Sequence, residues 1–275
     1  MPDVYEDVID SSRRGLFNWK ELWRYQELFY FFSWRDIKIK YKQTALGFLW
    51  AVLQPLLMML IFTLLLGRAL NLPNQSLPYP VYVFSGLIIW NVFATGLTNA
   101  ANSMVNNAMI IKKIYFPRLI IPVSSILVAV FDFAMAFVLF VLVLIYYQQP
   151  VAINAFVYWP ASLLVSMLAT LGLGCWLAAL NVKYRDFRYV IPFLVQILFF
   201  VTPIIYPTSI IDYPYLQYVV ASSPMYAAVE FFRFPLTSAM GNPTLVYISL
   251  TTNAVLLIIG IIYFRRTEDY FADLA

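Results

Sequence analysis

Charged positions cluster along the chain and leave long stretches without any. No Lys, Arg, Asp or Glu occurs in 43–67, 69–111, 133–182, 189–211 or 234–264. A hydrocarbon layer of about 30 Å needs about 20 apolar residues per helix, so the longest of these stretches must hold more than one span. Turn residues divide them. Asn71, Pro73, Asn74, Pro78 and Pro80 separate a span at about 44–66 from one at about 81–103. Gln148, Gln149, Pro150, Asn154 and Pro160 separate about 119–146 from about 160–181. Two more follow at about 189–206 and 244–264. The pattern predicts an all-α integral membrane protein of six transmembrane helices.

With the N-terminus in the cytoplasm, six spans place every one of the 18 cationic residues inside except Arg68 and Arg233. That asymmetry is the positive-inside rule, and it puts both termini in the cytoplasm. The organisation is then a cytoplasmic N-terminal region (1–43), a transmembrane domain (44–264) and a cytoplasmic tail (265–275). The first residues are acidic and polar (Asp3, Glu6, Asp7, Asp10), so no cleavable signal peptide is expected.

Three segments are neither span nor simple loop. In 17–42, Trp19, Leu22, Trp23, Phe29 and Tyr30 recur at helical spacing opposite Lys20, Glu21, Arg24 and Glu27, which predicts an amphipathic helix lying in the interface. Farther along it, Arg35, Lys38 and Lys42 fall within about 60° of one another on a helical wheel. Such a stripe is either an ordinary topology anchor or a seat for phosphate groups. Residues 104–118 can form a short helix with an apolar edge of Met109, Ile110, Tyr115 and Phe116, which suits a protein partner or a helix end lying in the interface. The external segment 207–243 is rich in Tyr, Phe and Val, and Ser223–Pro224 is a good helix start. It reads as re-entrant helices before the last span that either gate an exit or seal the bundle.

Composition agrees with the pattern and narrows the chemistry. Hydrophobic residues make up 62% of the chain and charged residues 12%, about half the charged share of soluble domains. Disorder, a disulfide scaffold and a nucleic-acid-binding domain are excluded. There is no His and one Cys, Cys175, so metal clusters and a Ser-His-Asp triad are not expected. No G-x-x-x-x-G-K-[ST] motif occurs, so the chain has no P-loop of its own for ATP. Aromatic residues form 18%, enough for interfacial belts and for many shallow contacts along a carbohydrate path. Pro55, Pro192 and Pro203 interrupt the first and fifth spans, as helices lining pathways often are. Asp132 is the one charged residue inside a span. It is either part of a proton-coupled transporter or a structural acid bonded to a neighbouring Tyr, Ser or Asn.

Four stretches carry a resemblance: R-D-I-K-I-K-Y-K-Q-T-A-L-G-F-L-W-A-V-L-Q-P (35–55), I-I-K-K-I-Y-F-P-R (110–118), L-N-V-K-Y-R-D (180–186) and Y-F-A-D (270–273). Together they make the chain similar to the permease subunits of type-2 ABC exporters, in particular those for O-antigen, teichoic acid and related glycans. The resemblance implies a homodimer in the bacterial inner membrane, with two separate ATPase subunits that hold ATP and Mg, and export of a lipid-linked glycan. No cofactor, metal or catalytic residue is implied in this chain, and membrane lipids are its other contacts. By the same resemblance, the coupling helix is about Met104–Tyr115, with Met109, Lys112, Lys113 and Phe116 against the ATPase. The phosphate-bearing head would enter past Arg35, Lys38, Lys40 and Lys42. Trp50 and Gln54, with Phe199 and Tyr206, would line the channel. Tyr226, Glu230 and Arg233 would lie in the external gate. The competing readings are a secondary transporter or channel using Asp132, a membrane enzyme acting on lipid-linked sugars, and an ABC exporter of drugs or lipids.

Overall fold

The computed structural model describes residues 23–42, 47–67, 77–237 and 241–268. The residues 1–22, Arg68, the turn residues Asn71, Pro73 and Asn74, and the terminal 270–273 motif lie outside them. Among the described residues the chain is all-helical, with no strand. The helices are α1 (Gln26–Lys42), α2 (Gly47–Leu66), α3 (Tyr79–Asn106), the single turn α4 (Ala108–Ile111), α5 (Ile120–Tyr146) and α6 (Ala155–Lys183). After them come α7 (Phe187–Val201), a 3-10 turn (Thr208–Ile210), α8 (Pro214–Ala221), α9 (Tyr226–Thr237) and α10 (Pro243–Thr267).

Helices α3, α5, α6 and α10 are each long and apolar enough to cross a membrane. The other two apolar stretches, Val52–Leu66 within α2 and Phe187–Val201, are shorter. Helix α7 stops at Val201 because Thr202 turns extended and Pro203 follows. A residue before proline is pushed out of the helical region, so the chain cannot run helical to 206. Helix α10 starts where Asn242 Oδ1 accepts from the Thr244 N–H at 3.0 Å, with Pro243 at the first position.

Helix α3 is the hub. Ten consecutive residues, Val81 to Trp90, are buried among α5, α6, α9 and the chain after α7. Small residues let the backbones approach, as membrane bundles require. A Cβ at Gly260 of α10 would lie 1.9 Å from the Gly172 carbonyl oxygen of α6. Polar side chains inside the bundle bond mostly to backbone: Asn181 Nδ2 donates to the Ala101 oxygen (3.0 Å), Ser162 Oγ to Ala228 (2.6 Å) and Asn253 Nδ2 to Val165 (2.9 Å). Helix α1 lies against α5 at one end of the bundle, with Phe32 buried on Phe116 at 5.7 Å between ring centroids. Helix α9 closes the opposite end against α3 and α6.

Candidate functional site

Helix α3 carries a row of polar residues four positions apart: Asn91, Thr95, Asn99 and Ser103, with Asn106 just beyond. A step of four on a 100° helix drifts about 40° each time, so the row winds around α3 as it descends. Its first two members face a chamber of 140 Å³ between α2, α3 and α5. The last three face a larger cleft of 740 Å³ between α1, α3 and α5. The side chains of Asn91, Thr95, Asn99 and Asn106 make no hydrogen bond among the described residues. Polar groups in an apolar bundle with no protein partner point to water or a polar ligand as their partner. Periodicity read for apolar residues does not register this row, yet the four-residue spacing was there to be found.

Helix α1 supplies the charge. Arg35 Nη2 donates to Asn107 Oδ1 and to Asp36 Oδ1, each at 2.7 Å, with the guanidinium 4.9 Å from the Phe32 ring centroid. Lys40 lines the cleft and the chamber both. Its ammonium donates to Asp132 Oδ2 on α5, and the Tyr41 hydroxyl donates to Asp132 Oδ1. Burial first, then the hydrogen bond to Asp132 and last its charge push the Tyr41 phenol well above its usual range, so Tyr41 stays a donor. Asp132 is therefore bonded to a tyrosine, one of the neighbours its sequence allows, and also to a lysine from outside the spans. That second titratable partner does not lie in any span, and nothing in local spacing signals it.

The expected entry set of Arg35, Lys38, Lys40 and Lys42 divides. Arg35 and Lys40 line the cleft, whereas Lys38 and Lys42 are exposed away from it. The reason is angular: the face of α1 turned to the cleft runs through Arg35, Asp36, Ile39 and Lys40, and Lys38 falls on the other side. The expected channel set divides as well. Trp50 and Gln54, one turn apart on α2, both line the chamber. Phe199 instead packs on Phe62 and Trp90, with centroids 6.0 and 5.6 Å away. Tyr206 turns back to donate to the Phe200 oxygen at 2.9 Å, capping the carbonyls left at the end of α7.

Around α4, Met109 is 79% exposed, and Lys112, Lys113, Ile114 and Tyr115 extend the exposed edge. Phe116 does not belong to that edge. It is 3% exposed and packs under α1 with Phe32 and Ile111, because the turn into Pro117 directs it inward. The helical part is also one turn, not the whole of Met104–Tyr115: Met104 is buried in the end of α3. Met109 and Ile110 line the cleft as well, so the exposed edge is one of its walls. Beside it, a cleft of 440 Å³ is lined by Ala108 of α4, Arg185 from the loop after α6 and Arg188 in the first turn of α7.

At the opposite end Arg233 is buried, 4% exposed, rather than presented on the surface. It donates to the Pro203 and Ile204 oxygens (2.8 and 2.6 Å), to Tyr82 Oη (2.7 Å) and oxygen (3.2 Å), and to Ser85 Oγ (3.3 Å). The chain break after α7 frees those carbonyls, and a planar guanidinium with five donors satisfies them together. Tyr226 is fully buried two turns earlier on α9. Burial holds the Glu230 carboxyl above the usual range, opposed by Arg233 and by the Gly241 backbone.

The model of the ABC-2 type transporter family matches residues 27–237. An O-antigen export system permease protein, RfbA, of Myxococcus xanthus is 32% identical over 196 residues, covering 70% of this chain and 73% of that one. RfbA of Klebsiella pneumoniae is 27% identical over 242 residues, covering 87% and 92%. The polysialic acid transport protein KpsM of Escherichia coli is 22% identical over 241 residues, covering 86% and 91%.

Proposed function

This chain belongs to the ABC-2 type transporter family, and on that premise we propose that it is the permease of an ATP-driven exporter that carries a lipid-linked polysaccharide of O-antigen type across the bacterial inner membrane. Six apolar helices act as spans with both termini in the cytoplasm, and α8 and α9 form the external gate. Two copies pair, and each docks a separate ATPase chain that holds ATP and Mg. The reading draws support from relatives named for O-antigen export and polysialic acid transport.

The observation that carries it is that α4 is at once the exposed apolar-basic edge of the molecule and a wall of the cleft. A partner pressing on Met109 and Ile114 moves Ile110 and the polar row of α3 together, so force applied outside reaches the path inside. Asp132, the residue that motivates a proton-driven reading, is engaged by Lys40 and Tyr41.

The test is co-purification with the separate ATPase chain that the proposal assigns to it. Met109→Asp with Ile114→Asp places two charges on an exposed edge and leaves the fold intact; the complex is expected to dissociate. A complex that survives both changes removes the docking assignment. Phe116→Asp is unsuitable here, because it buries a charge in the core beneath α1.

A further inference from the structure

We propose that Lys40 and Asp132, with Tyr41, form an anion-sensitive latch between the cleft and the chamber: a phosphate-type oxyanion held in the cleft takes the Lys40 ammonium from Asp132 and opens the way inward. The inference rests on the export reading and adds to it the pair of side chains that senses the phosphate-bearing ligand.

Position comes first. Lys40 is a wall of both spaces, and Asp132 is a wall of the chamber. The bond between them joins α1 to α5 across residues 92 apart in sequence, where the two spaces meet. Releasing it leaves α1 tethered to α5 by Tyr41 and, farther along, by Phe32 on Phe116, so only the Lys40 side chain has to swing aside for the cleft to open into the chamber.

The chemistry of the exchange follows from the two side chains. A lysine ammonium is a compact charge on a flexible stem with three donors, so it changes partner without moving its helix. Its side chain is 36% exposed while that of Asp132 is 16% exposed; the mobile partner is the one already reaching toward the cleft. Asp132 is not abandoned in the exchange, because Tyr41 remains bonded to its other oxygen. A charge that keeps a hydrogen-bond donor costs far less to uncouple than one left bare.

The cleft's donors select the ligand. Arg35 spends Nε and Nη2 on Asp36 and Asn107, which leaves Nη1 outside those contacts. Lys40, Arg35 and the amides of Asn99 and Asn106 thus surround one space with donors. Neutral amides alone would suit sugar hydroxyls; two cations added to them suit an oxyanion with several acceptors. A lipid phosphate and a free phosphate share this chemistry.

Labelling of a single cysteine in the chamber tests the latch. Cys175 is the one native cysteine and is buried. The full permease–ATPase complex carrying Cys175→Ser and Asn91→Cys is placed in phosphatidylcholine vesicles, with the α1 face outward. The readout is the rate of modification by a membrane-impermeant maleimide. The latch predicts slow labelling, accelerated several-fold by inorganic pyrophosphate but not by chloride at equal ionic strength. Adding Asp132→Asn should give the fast rate with no anion present. The exchange Lys40→Asp with Asp132→Lys should restore slow labelling and lose the response to pyrophosphate, which also shows that the variant is folded. Acceleration by phosphatidylglycerol in the bilayer, without a response to pyrophosphate, assigns the ligand as a lipid headgroup. Labelling that is indifferent to Asp132→Asn, or to both anions, overturns the latch. Labelling does not require the ATPase. A complex that exports with indifferent labelling therefore refutes the latch alone, and a permease that never binds an ATPase refutes the export reading.

Discussion

Arg233 joins α9 to α3 from a buried position. Its sequence position marks it as an external cation near a gate, a charge that water would normally hold. The structure buries it over the Tyr82 ring, 3.6 Å from the centroid, with two donations into the break after α7 and three to Tyr82 and Ser85 of α3. Arg233→Met removes the guanidinium and strands carbonyls in the bundle. The expected loss is about 3–5 kcal/mol, the scale of removing one partner from a buried charged network. It should be read as a lowered unfolding midpoint in detergent. Arg233→Lys should recover less than half, because a point charge cannot reproduce the fork. Gly86 gives a second handle on the same contact, since a Cβ there would lie 2.6 Å from Arg233 Nη2. Gly86→Ala should destabilise the parent clearly and the Arg233→Met variant less, with a residual cost because the Ile204 oxygen still lies 3.0 Å from the added Cβ, a coupling that a double-mutant cycle measures directly.

Helices were the legible level of this molecule. Stretches free of charge mark each apolar helix, and Ser223–Pro224 marks the approach to α9, where Ser223 Oγ accepts from the Met225 N–H at 3.3 Å. Contacts between helices were not legible, and the reasons are physical. Apolar periodicity reports which residues avoid water, but in a membrane bundle both lipid and protein are apolar, so the buried face of α3 and the exposed face of α5 look alike in sequence. The direction of Phe116 depends on the backbone turn into Pro117, and the Lys40–Asp132 bond depends on how α1 crosses α5. Glycine is the exception, because its absence of bulk matters only where helices touch. Gly260→Ala puts a methyl 1.9 Å from backbone oxygen on α6, and neither backbone can move aside locally. Gly96→Ala meets the Thr170 methyl at 2.9 Å, which is side chain and can adjust. Gly260→Ala should therefore sharply reduce the yield of folded protein while Gly96→Ala is much milder, as size-exclusion profiles of the two variants would show. Equal behaviour would mean that α6 and α10 do not pack as closely as described.

At the scale of the whole molecule, the polar row of α3 lines two successive spaces in an apolar bundle, and it is the path proposed for the polysaccharide. From Asn91 to Asn106 the row spans about 22 Å at 1.5 Å per residue, a large part of a bilayer's hydrocarbon thickness of about 30 Å. Such a row is costly to keep in a membrane bundle unless something passes along it. Stability and transport can be separated on this point. Asn91 and Asn99 are half-buried and make no side-chain hydrogen bond among the described residues. Asn91→Leu with Asn99→Leu keeps the branched shape, lets the larger methyl groups extend into the chamber and the cleft, and removes polar groups that bond nothing among the described residues. The double variant should unfold at the same or a slightly higher temperature and should retain its ATPase, since α4 is untouched. It should nevertheless deliver little polysaccharide to the cell surface, measured by binding of a glycan-specific antibody to intact cells. A variant with unimpaired surface polysaccharide would show that the row is not the route. If it instead lost stability in proportion to export, the two amides would belong to the scaffold that holds α3 against α2 and α5.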